Sequence, residues 1–191
     1  MSAALILRLV FWLWFAGAVA AGHWLVLTRL PPLALPAVIL AIAGLPLVLA
    51  FRIPALRAWI ESVDLRTLVL LHVTRLVGLY FLWLHQQGDL PRAFVAVAGA
   101  GDLIIAVMAL PVALAPLPDA TRLRAIRIWS VVSFITLLLI VFTVARLNYA
   151  SPLSLLVLTR LPLCLYLVFL LPLLLASQAV VLIRCSAPPP P

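Results

Sequence analysis

The sequence predicts an all-α fold: a polytopic transmembrane helix bundle of six spans. Three observations carry that prediction. Of the 191 residues, 67% are hydrophobic and only 9% charged, whereas a soluble domain keeps roughly a quarter of its residues charged. The mean hydropathy is +1.31. Six apolar runs, near 4–28, 34–51, 67–85, 92–115, 128–147 and 162–183, each approach the about 20 residues that cross a bilayer. The spans and their connections are read as one transmembrane domain over 1–184, with 185–191 as a disordered Pro-rich tail.

In the first run, Arg8, the apolar stretch after it and Ala18-Val19-Ala20 imitate a signal peptide with its cleavage site. The run continues through Trp24 to Leu27, too far for a signal-peptide core, so it is read as a span. After the second run, Pro54 suits a first helical position. Leu56, Trp59, Ile60 and Val63 then recur at helical spacing, with Arg57 and Glu61 as an i,i+4 pair on another face. That pattern predicts a short amphipathic helix lying on the membrane surface between spans two and three; a docking helix for a soluble partner has the same pattern. The third and fourth runs form a hairpin turning near Gly88. The segment 118–127 reads as a basic helix start with Asp119 as its cap. Pro111, Pro162 and Pro172 are expected to bend their helices.

Arginine placement orients the bundle. All 13 basic residues are Arg and the net charge is +8. Arg8, Arg52, Arg57, Arg66, Arg122, Arg124, Arg127 and Arg184 fall on one side; Arg29, Arg92, Arg146 and Arg160 fall on or near the other. The positive-inside rule then makes both termini cytoplasmic, in a bacterial inner membrane. Trp24 and Trp83 sit at the outer boundary, Trp59 and Trp129 at the inner one. The basic residues do not interleave with aromatics as nucleic-acid binding requires, so the expected partner is the lipid bilayer. A homo-oligomer or a larger membrane complex is compatible with the sequence.

The chemistry concentrates in the hairpin. Arg75 and Asp102 lie at nearly equal sequence distances from Gly88, on opposite strands of the hairpin. Antiparallel helices with a common rise place them side by side. Ionisable side chains at membrane depth usually mark a pathway, a ligand or a necessary ion pair. His72, Arg75 and Leu79 share a face of span three. Asp102 shares one with Val95, Ala98, Gly99, Ile105 and Ala109. Gly78, Gly99 and Gly101 supply small surfaces for close packing. The pair can lock the hairpin by mutual neutralisation, or form with His72 a centre for a ligand or ion.

Secondary candidates surround that centre. Gln178 occupies a depth similar to His72. Arg160 either snorkels to the outer surface or faces a vestibule and attracts an anion. His23 and His85, both near outer span ends, meet the depth requirement for haem b ligation. A quinone near His72 and Arg75 is the other cofactor reading. Cys164 and Cys185 are too far apart along a helix to pair. No HxxxH, HExxH, phosphate loop or nucleophile elbow occurs in the sequence, which argues against a metal centre, a hydrolase and an ATP-driven pump. LVLTRLP occurs at 25–31 and 156–162 in unmatched places, as expected of chance in a Leu-rich chain.

Residues 72–102, HVTRLVGLYFLWLHQQGDLPRAFVAVAGAGD, contain His72, Arg75, Gly78, Gly88, Leu90, Pro91, Phe94, Gly99, Gly101 and Asp102. In that spacing the hairpin resembles a group of small, uncharacterised bacterial multi-pass inner-membrane proteins with a HxxRxxG…GxLPxxF…GxGD pattern. The resemblance implies that the hairpin is the core of the protein, and it implies no activity. It also implies a His near the position of Gln178, from which this chain departs; a two-His cofactor site is thereby put in doubt.

The functional expectation is small-molecule or ion binding or transport through His72, Arg75 and Asp102. The alternatives are a redox subunit holding haem or quinone, and a non-catalytic assembly or scaffold protein.

Overall fold

The computed structural model describes residues 3–186, and every regular element among them is helical. Helix α1 (Ala3–His23) is followed by a 3-10 turn at Val26–Arg29, then α2 (Ala34–Arg52) and α3 (Pro54–Ser62). Helix α4 (Leu65–Leu71) continues through a 3-10 stretch, His72–Val77, into α5 (Gly78–Gln86). After the turn, α6 (Arg92–Phe94) runs through a π-helical stretch, Val95–Gly101, into α7 (Asp102–Leu114). Helix α8 (Asp119–Ala150), a 3-10 stretch at Pro152–Thr159, a π-helical stretch at Tyr166–Leu170 and α9 (Leu171–Ser186) complete the described chain.

Four helical stretches among the described residues are long and apolar enough to cross a membrane: Leu65–Gln86, Arg92–Leu114, Asp119–Ala150 and Tyr166–Ser186. The bent pair Ala34–Ala50 and Pro54–Ser62 makes a fifth if counted as one span. From Asp119 onward the basic segment and the fifth apolar run are one continuous helix of 32 residues. At 1.5 Å per residue this is about 48 Å long, more than the roughly 30 Å of a hydrocarbon core. Asp119 is the first residue of that helix and accepts a hydrogen bond from Arg122 Nη1 at 2.8 Å. Helix α9 continues through Cys185 to Ser186, two residues into the segment expected as a tail; the remainder of that segment lies outside the described residues.

The chain divides into two compact units, Met1–Ile60 with Val141–Leu173 and Glu61–Ile140 with Leu174–Pro191. In the first, Phe11, Trp14 and Phe15 of α1 all lie against Phe169, with ring centroids 5.1, 5.0 and 5.2 Å away. Trp14 Nε1 donates to the Val168 carbonyl at 2.9 Å. Asn148 Nδ2 donates to the Pro32 carbonyl at 2.9 Å, tying the end of α8 to the turn before α2. Helix α3 starts at Pro54 and buries none of its residues.

The second unit holds the hairpin. Helix α5 ends in a Schellman motif: Gly88 N–H bonds to the His85 carbonyl and Asp89 N–H to the Leu84 carbonyl, each at 3.0 Å. Gly88 has φ +85°, the left-handed conformation this motif requires and a side chain resists. His85 Nδ1 donates to the Leu90 carbonyl at 2.8 Å, holding the return to α6. An apolar cluster of Val69, Ile105, Ala109, Ile126, Trp129 and Val181 then joins α4, α7, α8 and α9.

Candidate functional site

Two departures from α-helical geometry set the site. His72 and Arg75 both lie in the 3-10 stretch, where three residues complete a turn and positions i and i+3 eclipse. The two side chains therefore leave the backbone in one direction, more closely aligned than an α-helix would place them. On the facing strand of the hairpin, Asp102 follows the π-helical stretch directly, and its N–H reaches back to the Val97 carbonyl. The run of small residues Ala98 to Gly101 allows this wide turn without crowding. π-Bulges inside α-helices frequently occur at functional sites.

The two strands approach closely because Gly78 packs against the Gly99 backbone. Gly99 also faces Leu82, whereas Gly101 points toward Thr136 of α8. With the backbones that near, Arg75 reaches Asp102 directly: Nε donates to Oδ1 at 2.8 Å and Nη2 to the same oxygen at 2.5 Å. Arg75 Nη1 donates to Ser133 Oγ at 2.8 Å. Arg75 and Asp102 are both 0% exposed. A fully buried charge needs its partner, because desolvating it alone costs several kcal/mol.

The polar region extends beyond the ion pair. His72, 0% exposed, presents Nε2 to Ser177 Oγ at 3.3 Å. Ser177 Oγ donates its proton to the Leu174 carbonyl at 2.9 Å. A hydroxyl has one proton, so with both contacts formed His72 Nε2 is the donor toward Ser177, and Nδ1 of the neutral ring keeps a lone pair. His72 Nδ1 is buried and has no hydrogen-bond partner. The His72 ring stands edge-on to Trp129, with centroids 5.1 Å apart and planes at 88°. Trp129 is fixed in turn by its Nε1 bond to the Ile105 carbonyl at 3.2 Å.

Gln178 lies in the same region. Its Nε2 donates to the Ser130 carbonyl at 2.9 Å. A carbonyl only accepts, so the amide orientation is forced and Oε1 points elsewhere. Gln178 Oε1 and Ser130 Oγ are both buried without partners. Ser130 and Ser133 lie three apart on α8 and share a face. The second unit thus collects His72, Arg75, Asp102, Ser130, Ser133, Ser177 and Gln178.

The other sequence candidates have different surroundings. Arg160 is exposed, beyond the 3-10 stretch before α9 in the first unit. His23 ends α1, exposed beside the Trp24 ring. His85 serves the hairpin turn through its bond to Leu90. Among the described residues, no group of three or more His, Cys, Asp or Glu is arranged to hold a metal ion. Sequence reasoning did not find Ser130, Ser133 and Ser177. The available signal was small hydroxyls at helical spacing within otherwise apolar runs, Ser130-x-x-Ser133 and Ser177-Gln178, and it is weak because serine is common in membrane helices.

Residues 31–185 match the model of a family described as a domain of unknown function, DUF8737, and the chain belongs to that family. No curated protein and no solved structure matches the chain.

Proposed function

We propose that this chain is a six-span bacterial inner-membrane protein that binds a small molecule or ion at the His72–Arg75–Asp102 centre and moves it across the membrane. In this reading α1 and α2 are the first two spans, α3 lies on the inner membrane surface, and both termini face the cytoplasm. The biased distribution of arginines supports the orientation. The exposed Trp59 and Arg57 on a short amphipathic helix support the surface placement of α3.

One observation carries the functional reading. His72 Nδ1, Ser130 Oγ and Gln178 Oε1 are buried polar atoms with no partner, on residues of the unit that holds the ion pair. An unsatisfied buried polar group costs about 1–3 kcal/mol, so a purely structural centre gains nothing by carrying three. A centre that receives a ligand needs such unoccupied hydrogen-bonding capacity. The test is flux into proteoliposomes of the full chain, followed with an entrapped pH dye for protons and by light scattering for small neutral solutes. Wild-type vesicles should exceed both protein-free vesicles and Asp102→Asn vesicles with one of the two readouts. Equal rates throughout, with the variant folded, would remove transport through Asp102.

A redox reading has one observation in its favour, the lone pair on His72 Nδ1, which suits an axial haem ligand or a hydroquinone hydroxyl. It predicts a visible band that shifts on dithionite reduction, or retained quinone, each lost in His72→Ala. A colourless protein without extractable quinone would dispose of it.

A further inference from the structure

The charges and hydrogen-bonding valences of the centre say which kind of molecule it accepts. The inference rests on the proposed reading of this region as a ligand site, and it concerns only the ligand's class.

Charge comes first. Arg75 and Asp102 are paired at 2.5 Å, so their formal charges cancel within the centre. His72 in the Nε2–H form is neutral, and Ser130, Ser133, Ser177 and Gln178 carry no charge. A charged ligand would enter a fully buried region with no counter-charge left for it, at a desolvation cost of several kcal/mol. Arg75 is not an unengaged anion receptor, because Asp102 and Ser133 already take three of its five N–H groups, one on each nitrogen.

Valence comes second. Two of the three unpartnered atoms are acceptors in this arrangement. Gln178 Oε1 is the acceptor end of an amide whose nitrogen is committed to the Ser130 carbonyl. His72 Nδ1 is an acceptor because the Ser177 proton is committed to the Leu174 carbonyl. The third atom, Ser130 Oγ, both donates and accepts. A complementary ligand must therefore bring N–H or O–H groups.

We infer that the centre takes a small neutral hydrogen-bond donor, a molecule presenting an amide N–H or a hydroxyl, rather than an anion or a cation. Ser177 is the positioning residue: by donating to Leu174 it fixes the imidazole tautomer that turns a lone pair toward the ligand.

The experiment uses the full chain with 15N-labelled histidine in detergent micelles. The His72 signals are identified by their loss in His72→Gln. In the free protein, Nδ1 should give the unprotonated, pyridine-type 15N resonance and Nε2 the protonated one. Acetamide, acetate, acetone and methylammonium are then titrated as a neutral donor, an anion, a neutral molecule without a donor, and a cation. Acetamide should shift the Nδ1 resonance saturably, with an affinity about tenfold above acetone, the worth of one net hydrogen bond. Acetate and methylammonium should leave it in place. Ser177→Ala should let the proton redistribute to Nδ1 and weaken the acetamide preference, whereas Ser177→Thr, which keeps the hydroxyl, should restore both.

Three results would overturn the inference: a protonated Nδ1 in the wild type, binding of acetate or methylammonium at least as tight as acetamide, or no response to any probe. Each leaves the vesicle flux measurement untouched, so the class of ligand can fail while the transport reading stands, and the reverse.

Discussion

A β-carbon on Gly78 would lie 2.5 Å from the Gly99 carbonyl oxygen. The obstacle is backbone, not the movable end of a side chain, so the two strands of the hairpin would have to separate to admit it. Gly78→Ala should therefore destabilise the protein by about 1–3 kcal/mol and lengthen the Arg75–Asp102 contact. Thermal unfolding in detergent checks the first, and an unchanged melting temperature would refute the close approach.

The ion pair makes an asymmetric prediction. Arg75→Leu or Asp102→Leu leaves a buried charge without its partner and should cost about 3–5 kcal/mol, while the double variant should be better tolerated than either single one. Unfolding of all three in the same detergent gives the comparison. Equal damage in all three would mean that the charges act independently of each other.

Ser133 should matter more than its size suggests. It accepts from Arg75 Nη1 at 2.8 Å, and hydrogen bonds to charged groups contribute about 1.5–3 kcal/mol. Ser133→Ala should lose an amount of that order, whereas Ser133→Thr should retain most of it.

Ser130 should behave in the opposite sense. Its buried hydroxyl has no partner, so Ser130→Ala should leave stability unchanged or raise it by up to about 1 kcal/mol. Under the proposed function, flux should nevertheless fall. A large loss of stability would show that the hydroxyl has a structural role.

Gly88 isolates a backbone effect. Nothing lies within 4 Å of a β-carbon built on it, yet its φ is +85°. Gly88→Ala should cost about 1–2 kcal/mol through conformation alone, and Gly88→Asn, which tolerates this region better, should cost less.

Much of the hairpin was legible in the sequence. Gly88 read as the turn, Arg75 and Asp102 read as neighbours from their spacing about it, and polarity inside apolar runs singled out both. The same reasoning could not reach Ser133 or Ser177, because their selection depends on how α8 and α9 rotate about their axes. Those helices are apolar on all sides, so periodicity gives no phase. The basic helix start read over 118–127 does open a helix, which begins at Asp119 and runs on through the fifth apolar run. The 3-10 and π-helical stretches escaped because His-x-x-Arg and a run of Ala and Gly fit an ordinary α-helix equally well.

The wide turn at Val95–Gly101 also acts as slack in the chain. A helix closed by i→i−5 bonds stows a residue that ordinary winding would have to place elsewhere, so this segment can shorten without the helix coming apart. Removing Ala100, which is exposed, should let the winding tighten and turn Gly99 away from Gly78 while Asp102 keeps its phase toward Arg75. The contact that draws the strands together and the charge pair that they carry would then be uncoupled by a single deletion. The length of this segment is thus an adjustable parameter, separate from the identity of any side chain in the centre.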